Sequence, residues 1–151
     1  MKILKDWKTV SVSSFINGDI LFSRRFRSIP YESIKNDILG SDYELSIVLI
    51  GRKRSKSLNS KFRGKNADTD VLAFQISEKM GEIFINPRYA DMKWRYYCNK
   101  SDDFKKKFPK FENYLLFIVI HALFHLKGLV HGDKMEKYEF AHYSRYRRRY
   151  L

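Results

Sequence analysis

Residues 114–131 read YLLFIVIHALFHLKGLVH, and this stretch decides both the fold and the chemistry that the sequence predicts. Up to Leu126 every residue is apolar except two histidines, which indicates a helix buried on nearly every side. Gly128 marks its end, because glycine readily takes the left-handed conformation of helix termini. We therefore expect a helix over about residues 109–127, packed on one face of a small mixed sheet.

The three histidines in this stretch follow the spacing H-x3-H-x5-H. Residues four apart share a face of a helix, so His121 and His125 can reach one ion at about 2.1 Å each. A turn at Gly128 would then bring His131 back as a third ligand. Three protein ligands leave one tetrahedral position for water, which is typical of catalytic rather than structural zinc.

The histidines have two alternative interpretations. A single histidine on an apolar helix is commonly a hydrogen-bonded core residue, but two buried imidazoles cost free energy unless both have partners, and a shared cation serves both. The stretch also reads as HxxxHxxGxxH, the ligand skeleton of the metzincin proteases. Those enzymes carry Glu as general base directly after the first histidine. This chain has Ala122 there, which disfavours peptide hydrolysis.

The charge balance indicates a polyanionic partner. The chain has 30 basic and 17 acidic residues and a formal charge of +13, which favours nucleic acid. Tyrosines and phenylalanines alternate with the basic clusters and can stack on unpaired bases. The alternative is a set of solvated helix faces, and a polybasic tail on an anionic membrane has no other support. The clusters are residues 52–56, 61–65, 105–110 and 145–149.

The remaining patterns predict an α+β fold. We expect one domain over residues 1–151, with a basic C-terminal helix and tail over about 133–151. A charged loop of about ten residues should follow residue 97. Strands are predicted at 10–15, 43–50, 70–76 and 81–86, and further helices at 30–40, 55–62, 87–97 and 133–147.

Cysteine usage and hydropathy favour a soluble cytoplasmic protein with no membrane partner. Cys98 is the only cysteine, so no intramolecular disulfide can form and a reducing compartment fits. The first residues lack the apolar segment of a signal peptide. The longest apolar run is interrupted by histidines and is too short to span a bilayer.

Three segments within residues 43–135 occur in the order and spacing of a known family. Residues 57–74 read SLNSKFRGKNADTDVLAF, residues 81–85 read GEIFI, and the histidine stretch follows. Together they resemble LNxxYRxKDxPTDVLSF, GDI and HGxLHLxGYDH, the patterns of the YbeY family. Members of that family are bacterial metal-dependent endoribonucleases linked to rRNA maturation and ribosome quality control.

The resemblance implies an α+β metal-dependent hydrolase domain with one metal ion, usually zinc. His121, His125 and His131 would be the ligands, and Arg63 matches the arginine that the family needs for activity. Nickel, copper and iron also accept histidine ligands. The implied substrate is single-stranded RNA in rRNA precursors, with processing of the 16S rRNA 3′ end on the ribosomal small subunit.

The chain departs from the family patterns at positions that are not proposed ligands. The acidic residue before the last histidine is missing, and Asp133 is a candidate to replace it beside the metal. Asp70 reads either as a turn residue before a strand or as a helper in the reaction. The departures are Asp68 for Pro, Ala73 for Ser, Ala122 for Gly, and Leu129 with Val130 for Tyr-Asp.

Three functions follow, of which a single-strand-specific metal-dependent endoribonuclease is favoured. The metal would polarise a phosphoryl oxygen or activate a water, and Arg63 would hold the phosphate through two parallel hydrogen bonds. Water and the RNA's own 2′-hydroxyl are both candidate nucleophiles. The alternative is a non-catalytic RNA-binding ribosome-assembly factor with a structural metal. The third candidate function, a metallopeptidase, is disfavoured because Ala122 stands where those enzymes carry the Glu that acts as general base.

Overall fold

The computed structural model describes residues 1–6, 9–15 and 20–151, which form five strands and seven helices. The strands are β1 (Lys2–Asp6), β2 (Val10–Ser14), β3 (Glu44–Leu49), β4 (Val71–Ser77) and β5 (Met80–Ile85). The helices are α1 (Ile20–Arg27), α2 (Tyr31–Leu39), α3 (Arg52–Arg63), α4 (Pro87–Lys100), α5 (Asp102–Lys107), α6 (Phe111–Leu126) and α7 (Asp133–Tyr150).

The strands form one mixed sheet in the order β1-β2-β3-β5-β4. Strands β2, β3 and β5 are parallel to one another, whereas the edge strands β1 and β4 pair antiparallel with β2 and β5. The chain between β3 and β5 contains α3 and β4, so the sheet edge and the basic helix α3 belong to one connection. The predicted α+β fold with a small mixed sheet is confirmed.

Helix α6 lies at the centre of the hydrophobic core, as the sequence predicts. It packs against β4, shares a core with alternate residues of β3 and β5 on the same face of the sheet, and is covered on its outer side by α7. Side chains alternate across a strand, so these residues share one face. They are Leu45, Ile47, Leu49, Ile83 and Ile85.

Gly81 allows the C-terminal end of α6 to approach the sheet closely. A Cβ atom at this position would lie 2.4 Å from the Tyr43 hydroxyl oxygen and 3.0 Å from a methyl carbon of Leu126. Both neighbours are buried, so neither has free space into which it could move. The glycine therefore sets how closely the histidine-bearing helix sits on β5.

The predicted charged loop after residue 97 is wrong, because α4 continues to Lys100 and α5 follows at once. Ser101 separates the two helices, and its hydroxyl oxygen accepts a hydrogen bond of 3.2 Å from the Phe104 N–H. Acidic residues occupy the first turn of α5 and lysines its last turn, which complements the helix dipole. Strand β1 and helix α1 were also not predicted.

The other predicted strands and helices are confirmed, with bounds that differ by a few residues. The largest extensions are at α3, which begins at Arg52, and at α7, which continues to Tyr150. Among the helices of the described ranges, none is both long and apolar enough to cross a membrane.

Candidate metal centre

His121 and His125 lie on the only side of α6 that is not fully buried. Twelve of the sixteen residues of this helix are buried. The four that are partly exposed are Glu112, Phe117, His121 and His125, at spacings of four or five residues. Because residues at this spacing share a helix face, the stripe brings both imidazoles to the edge of the core.

The chain turns directly after α6 and returns His131 to the other two histidines. Gly128 has a φ of 96°, and the Leu129 N–H donates to the Phe124 carbonyl oxygen at 3.0 Å, which closes the helix end. The Nε2 atoms of His121 and His125 are 3.0 Å apart. One nitrogen from each of the three histidines lies within 4.8 Å of the other two. The predicted ligands are therefore brought together.

Hydrogen bonds at Nδ1 determine which ring nitrogens can bind a metal. His121 Nδ1 lies 2.5 Å from Oε1 of Glu139, and His125 Nδ1 lies 3.1 Å from the Leu129 carbonyl oxygen. A carboxylate and a carbonyl only accept, so both neutral rings carry their hydrogen on Nδ1. Each Nε2 then has a free lone pair, and the two lone pairs face each other.

No hydrogen lies between the two Nε2 atoms, so they cannot form a hydrogen bond with each other. A single cation between them would accept both lone pairs. Ligands around a tetrahedral ion with bonds of about 2.1 Å are separated by about 3.4 Å. The observed separations of 3.0 Å and at most 4.8 Å bracket that value. The residues therefore fit a divalent metal held by three neutral nitrogens.

The surroundings of His125 favour its neutral form. Burial lowers the pKa of this imidazole from its usual value, and the neighbouring His121 lowers it further. The hydrogen bond to Leu129 acts in the opposite direction, while His131 and Arg63 add to the lowering. Neutral imidazole is the form that binds metals, so this environment keeps the ligand available near neutral pH.

Glu139 was not predicted from the sequence as part of this site. It lies on α7 with a side chain only 6% exposed, and it holds the ring of His121. Asp133, which the sequence suggested for this role, is an exposed residue at the start of α7. The sequence does indicate that Glu139 is buried, because it lies four residues after Met135 and four before Tyr143 on one face of the helix.

Arg63 lies at the C-terminal end of α3 with an exposed side chain. Its positive charge is one of the causes that lower the pKa of His125, which puts it within electrostatic reach of the histidines. No carboxylate in the described part of the chain pairs with it. The guanidinium is thus available to an anionic group near the candidate metal centre.

Asp70 has a structural role rather than the role of a helper. It is buried, and its Oδ1 accepts from the Val71 N–H while its Oδ2 accepts from Lys93 and from the Tyr114 hydroxyl at 2.7 Å. Burial and this carboxylate raise the pKa of Tyr114 well above its usual value. Asp70 joins the start of β4 to α4 and α6, as the turn interpretation predicts.

A cleft of about 660 Å³ opens beside His121 and His131. Lys107 lies on its wall, with its Nζ atom 5.0 Å and 5.3 Å from the ring centres of Phe117 and Phe140. Aromatic contacts of this kind hold the ammonium group in place. His142 lies outside the cluster, with its Nδ1 2.8 Å from the Tyr138 carbonyl oxygen.

Comparison with known proteins identifies the family. A family model described as Endoribonuclease YbeY matches residues 18–146. A Thermotoga maritima protein named Endoribonuclease YbeY is 33% identical over 119 residues, which cover 76% of this chain and 71% of its own length. A protein of the same name from Thermodesulfovibrio yellowstonii is 35% identical over 108 residues, or 63% of this chain and 62% of its own.

A solved structure agrees with this assignment. The solution structure of a Thermotoga maritima protein superposes with a TM-score of 0.57 at 28% sequence identity, covering 91% of this chain and 85% of the other. The family model spans most of the sequence, including all three histidines and Arg63. The resemblance noted in the sequence is confirmed, and the chain belongs to the endoribonuclease YbeY family.

Proposed function

We propose that this protein is a metal-dependent endoribonuclease that cuts single-stranded RNA, with His121, His125 and His131 as the metal ligands. The observation that carries the proposal is the pair of Nε2 lone pairs that face each other at 3.0 Å beside a third histidine. Arg63, which pairs with no carboxylate among the described residues, acts electrostatically on His125. Zinc is the expected ion, because three histidines suit its tetrahedral coordination.

The protein's own residues would have two roles at the scissile phosphate, which are to hold the metal ligands in place and to bind the phosphate oxygens. Glu139 and the Leu129 carbonyl hold the rings of His121 and His125, so that neither ring can rotate away from the ion. Arg63 would bind two phosphate oxygens and stabilise the negative charge that builds up during cleavage. A bound divalent ion would supply Lewis-acid chemistry toward a phosphoryl oxygen or a water. Water and the 2′-hydroxyl of the RNA are the two candidate nucleophiles.

The resemblance to the family extends the proposal to substrate and setting. We propose that the natural substrate is an rRNA precursor, that the reaction processes the 16S rRNA 3′ end on the small subunit, and that it takes place in the cytoplasm. The net charge of +13 supports an RNA partner. We further propose that residues 1–151 act as one catalytic domain, with the basic helix α7 as part of the RNA-binding surface.

The test is cleavage of a labelled single-stranded RNA by the wild type, His125→Ala and Arg63→Ala, each assayed with and without a chelator. We expect no cleavage by His125→Ala or in the chelator, because both remove the metal. Arg63→Ala should lower kcat by about 100- to 1,000-fold, the usual cost of removing one group that stabilises transition-state charge. Arg24→Ala is the control, since Arg24 is an exposed arginine on α1, outside the proposed RNA-binding surface.

Equal cutting by all variants would indicate a contaminating nuclease and would contradict the proposal. RNA binding that falls steeply with salt, without cleavage above the metal-free control, would favour the non-catalytic assembly factor. A metallopeptidase mechanism would lack its general base here, because Ala122, directly after the first histidine, has no group that can accept a proton. Digestion of casein by the wild type would be needed to revive that function.

A further inference from the structure

The face of the sheet opposite α6 is covered in part by α3. The residues that this helix buries are polar rather than apolar. Val48 and Leu72 point to this face and are buried. Only Ser55 and Asn59 of α3 are buried, and they bind the neighbouring loop through the carbonyl oxygens of Thr69 and Ala67 at 3.1 Å and 2.8 Å. Polar contacts thus hold the helix in place, and most of its surface faces solvent.

The exposed surface of α3 is strongly cationic. Residues 52–65 contain seven basic side chains and no acidic one. Within the described ranges, only Arg52 of these seven forms an ion pair, with Asp68 at 2.9 Å. Six cations without an acidic partner in the described ranges repel one another along this helix and the residues that follow it, so a polyanion that binds there relieves the repulsion.

Three phenylalanines form a row beside this helix. The ring centre of Phe62 lies 4.9 Å from that of Phe74, which lies 5.8 Å from that of Phe84. Phe62 is 57% exposed, although it stands next to Arg63 in sequence. An aromatic ring that is this exposed, at the end of a basic helix and adjacent to a catalytic candidate, suits a base rather than the protein core.

A groove continues from Phe84 between α3 and the strands. It has a volume of about 610 Å³, and its floor includes Ser11, Ser13 and Ser46, whose hydroxyl groups can bind base edges or ribose. Glu82 also faces this groove and suits the amino group of a base rather than a phosphate.

We propose that Phe62, Phe74 and Phe84 form an aromatic platform on which unpaired RNA bases stack. The phosphates of the same strand would lie along α3 and lead past Arg63 to the metal centre. This inference rests on the proposed function and specifies how its substrate is held. Stacking requires unpaired bases, so the platform selects single-stranded over double-stranded RNA.

The test is binding of a short single-stranded RNA that carries the fluorescent base 2-aminopurine to the metal-loaded protein, with the RNA checked by gel for cleavage. Stacking quenches this base. The variants are Phe62→Leu, which keeps apolar packing but removes the ring, and Phe62→Tyr, which keeps the ring. We expect Phe62→Leu to weaken binding about tenfold and to remove most of the quenching, while Phe62→Tyr retains both.

Tyr96 provides a matched control. It is also 57% exposed, and the Lys100 Nζ atom lies 5.7 Å from its ring centre, close to the 5.3 Å between Lys61 Nζ and the Phe62 ring centre. Tyr96→Leu should leave RNA binding unchanged. Lys61→Gln should reduce the slope of log affinity against log salt by about 0.7, whereas Phe62→Leu should leave the slope unchanged.

Several results would overturn the platform. They are the absence of quenching when wild type binds the RNA, wild-type binding by a folded Phe62→Leu, equal losses in Phe62→Leu and Tyr96→Leu, or equal affinity for duplex RNA. The exposed phenylalanines would then suit a protein partner instead. Even if a variant fails to fold, the wild-type protein alone tests the platform, because its binding must quench the 2-aminopurine fluorescence. Cleavage without any effect of Phe62 would overturn the platform alone, whereas stacking without cleavage would overturn the proposed function alone.

Discussion

The buried carboxylate of Glu139 sets the orientation of His121, because its Oε1 atom accepts the Nδ1 hydrogen of that ring. Carboxylates that hold metal-binding histidines in this way raise the basicity of the ligand and fix its tautomer. The family pattern has an acidic residue just before the last histidine, and this chain has Val130 there. Glu139 reaches His121 from another helix.

Glu139→Ala should lower metal affinity about 10- to 100-fold, the usual effect of losing such a hydrogen-bonding partner. Glu139→Gln should have a smaller effect, since its amide oxygen can still accept from Nδ1. Competition with a coloured chelator measures the affinity directly. Glu136→Gln, at an exposed acidic residue one turn earlier on α7, serves as the control. Unchanged affinity in Glu139→Ala would exclude the orienting role.

The lowered pKa of His125 predicts how stability depends on pH in the metal-free protein. As pH falls below about 6.5, the unfolded chain takes up a proton that the folded chain resists, so the free energy of unfolding decreases. We expect the urea midpoint of chelator-stripped protein to fall between pH 7.5 and 5.5, and to fall less in His125→Gln. The same decrease in both proteins would show that other groups are responsible.

The parts of the candidate site differ in how far the sequence could predict them. His121 and His125 follow from helical spacing, and Gly128 explains how His131 joins them. Glu139 could not be assigned, because its spacing shows that it lies on the buried side of α7 but not which histidine faces that side. The place of Arg63 came from the family resemblance, since nothing local distinguishes it from the other basic residues of α3.

At the scale of elements, the contact of α6 with β4 and its close approach to β5 at Gly81 place the histidines relative to the sheet. Gly81→Ala should destabilise the protein by about 1–3 kcal/mol, because the added methyl group meets Tyr43 and Leu126 within the core. Urea unfolding of the metal-loaded protein measures the change. Gly51→Ala is the control, because a Cβ atom there meets nothing within 4 Å. Equal stability of both variants would contradict the close packing at Gly81.

The missed elements show where local patterns fail. Strand β1 reads KILKD, which is short and rich in charge, and it exists because it pairs with β2 at the sheet edge. Helix α5 has six residues and no buried one, so it lacks the apolar periodicity that reveals a helix. Its signals were the cap at Ser101 and the order of its charges. Helix α6 was predicted well because nearly all of its residues are apolar and buried.

At the scale of the whole molecule, the candidate metal centre lies within electrostatic reach of the end of the basic helix α3. The exposed Arg63 joins the two features, since it ends the helix and its charge acts on His125. The net charge of +13 would draw RNA to the surface, and the three histidines would limit chemistry to one point on it. Sequence composition indicated a polyanionic partner, but only the fold shows that Arg63 at the end of α3 acts electrostatically on His125 of α6.

The most direct measurement is to titrate Zn²⁺ into chelator-stripped protein while following both bound metal and the initial rate of single-stranded RNA cleavage. We expect the rate to rise in proportion to bound metal and to reach a plateau at one ion per chain. His125→Ala should stay inactive throughout the titration. A rate that does not depend on metal occupancy, or an active His125→Ala, would show that the three histidines are not the catalytic centre.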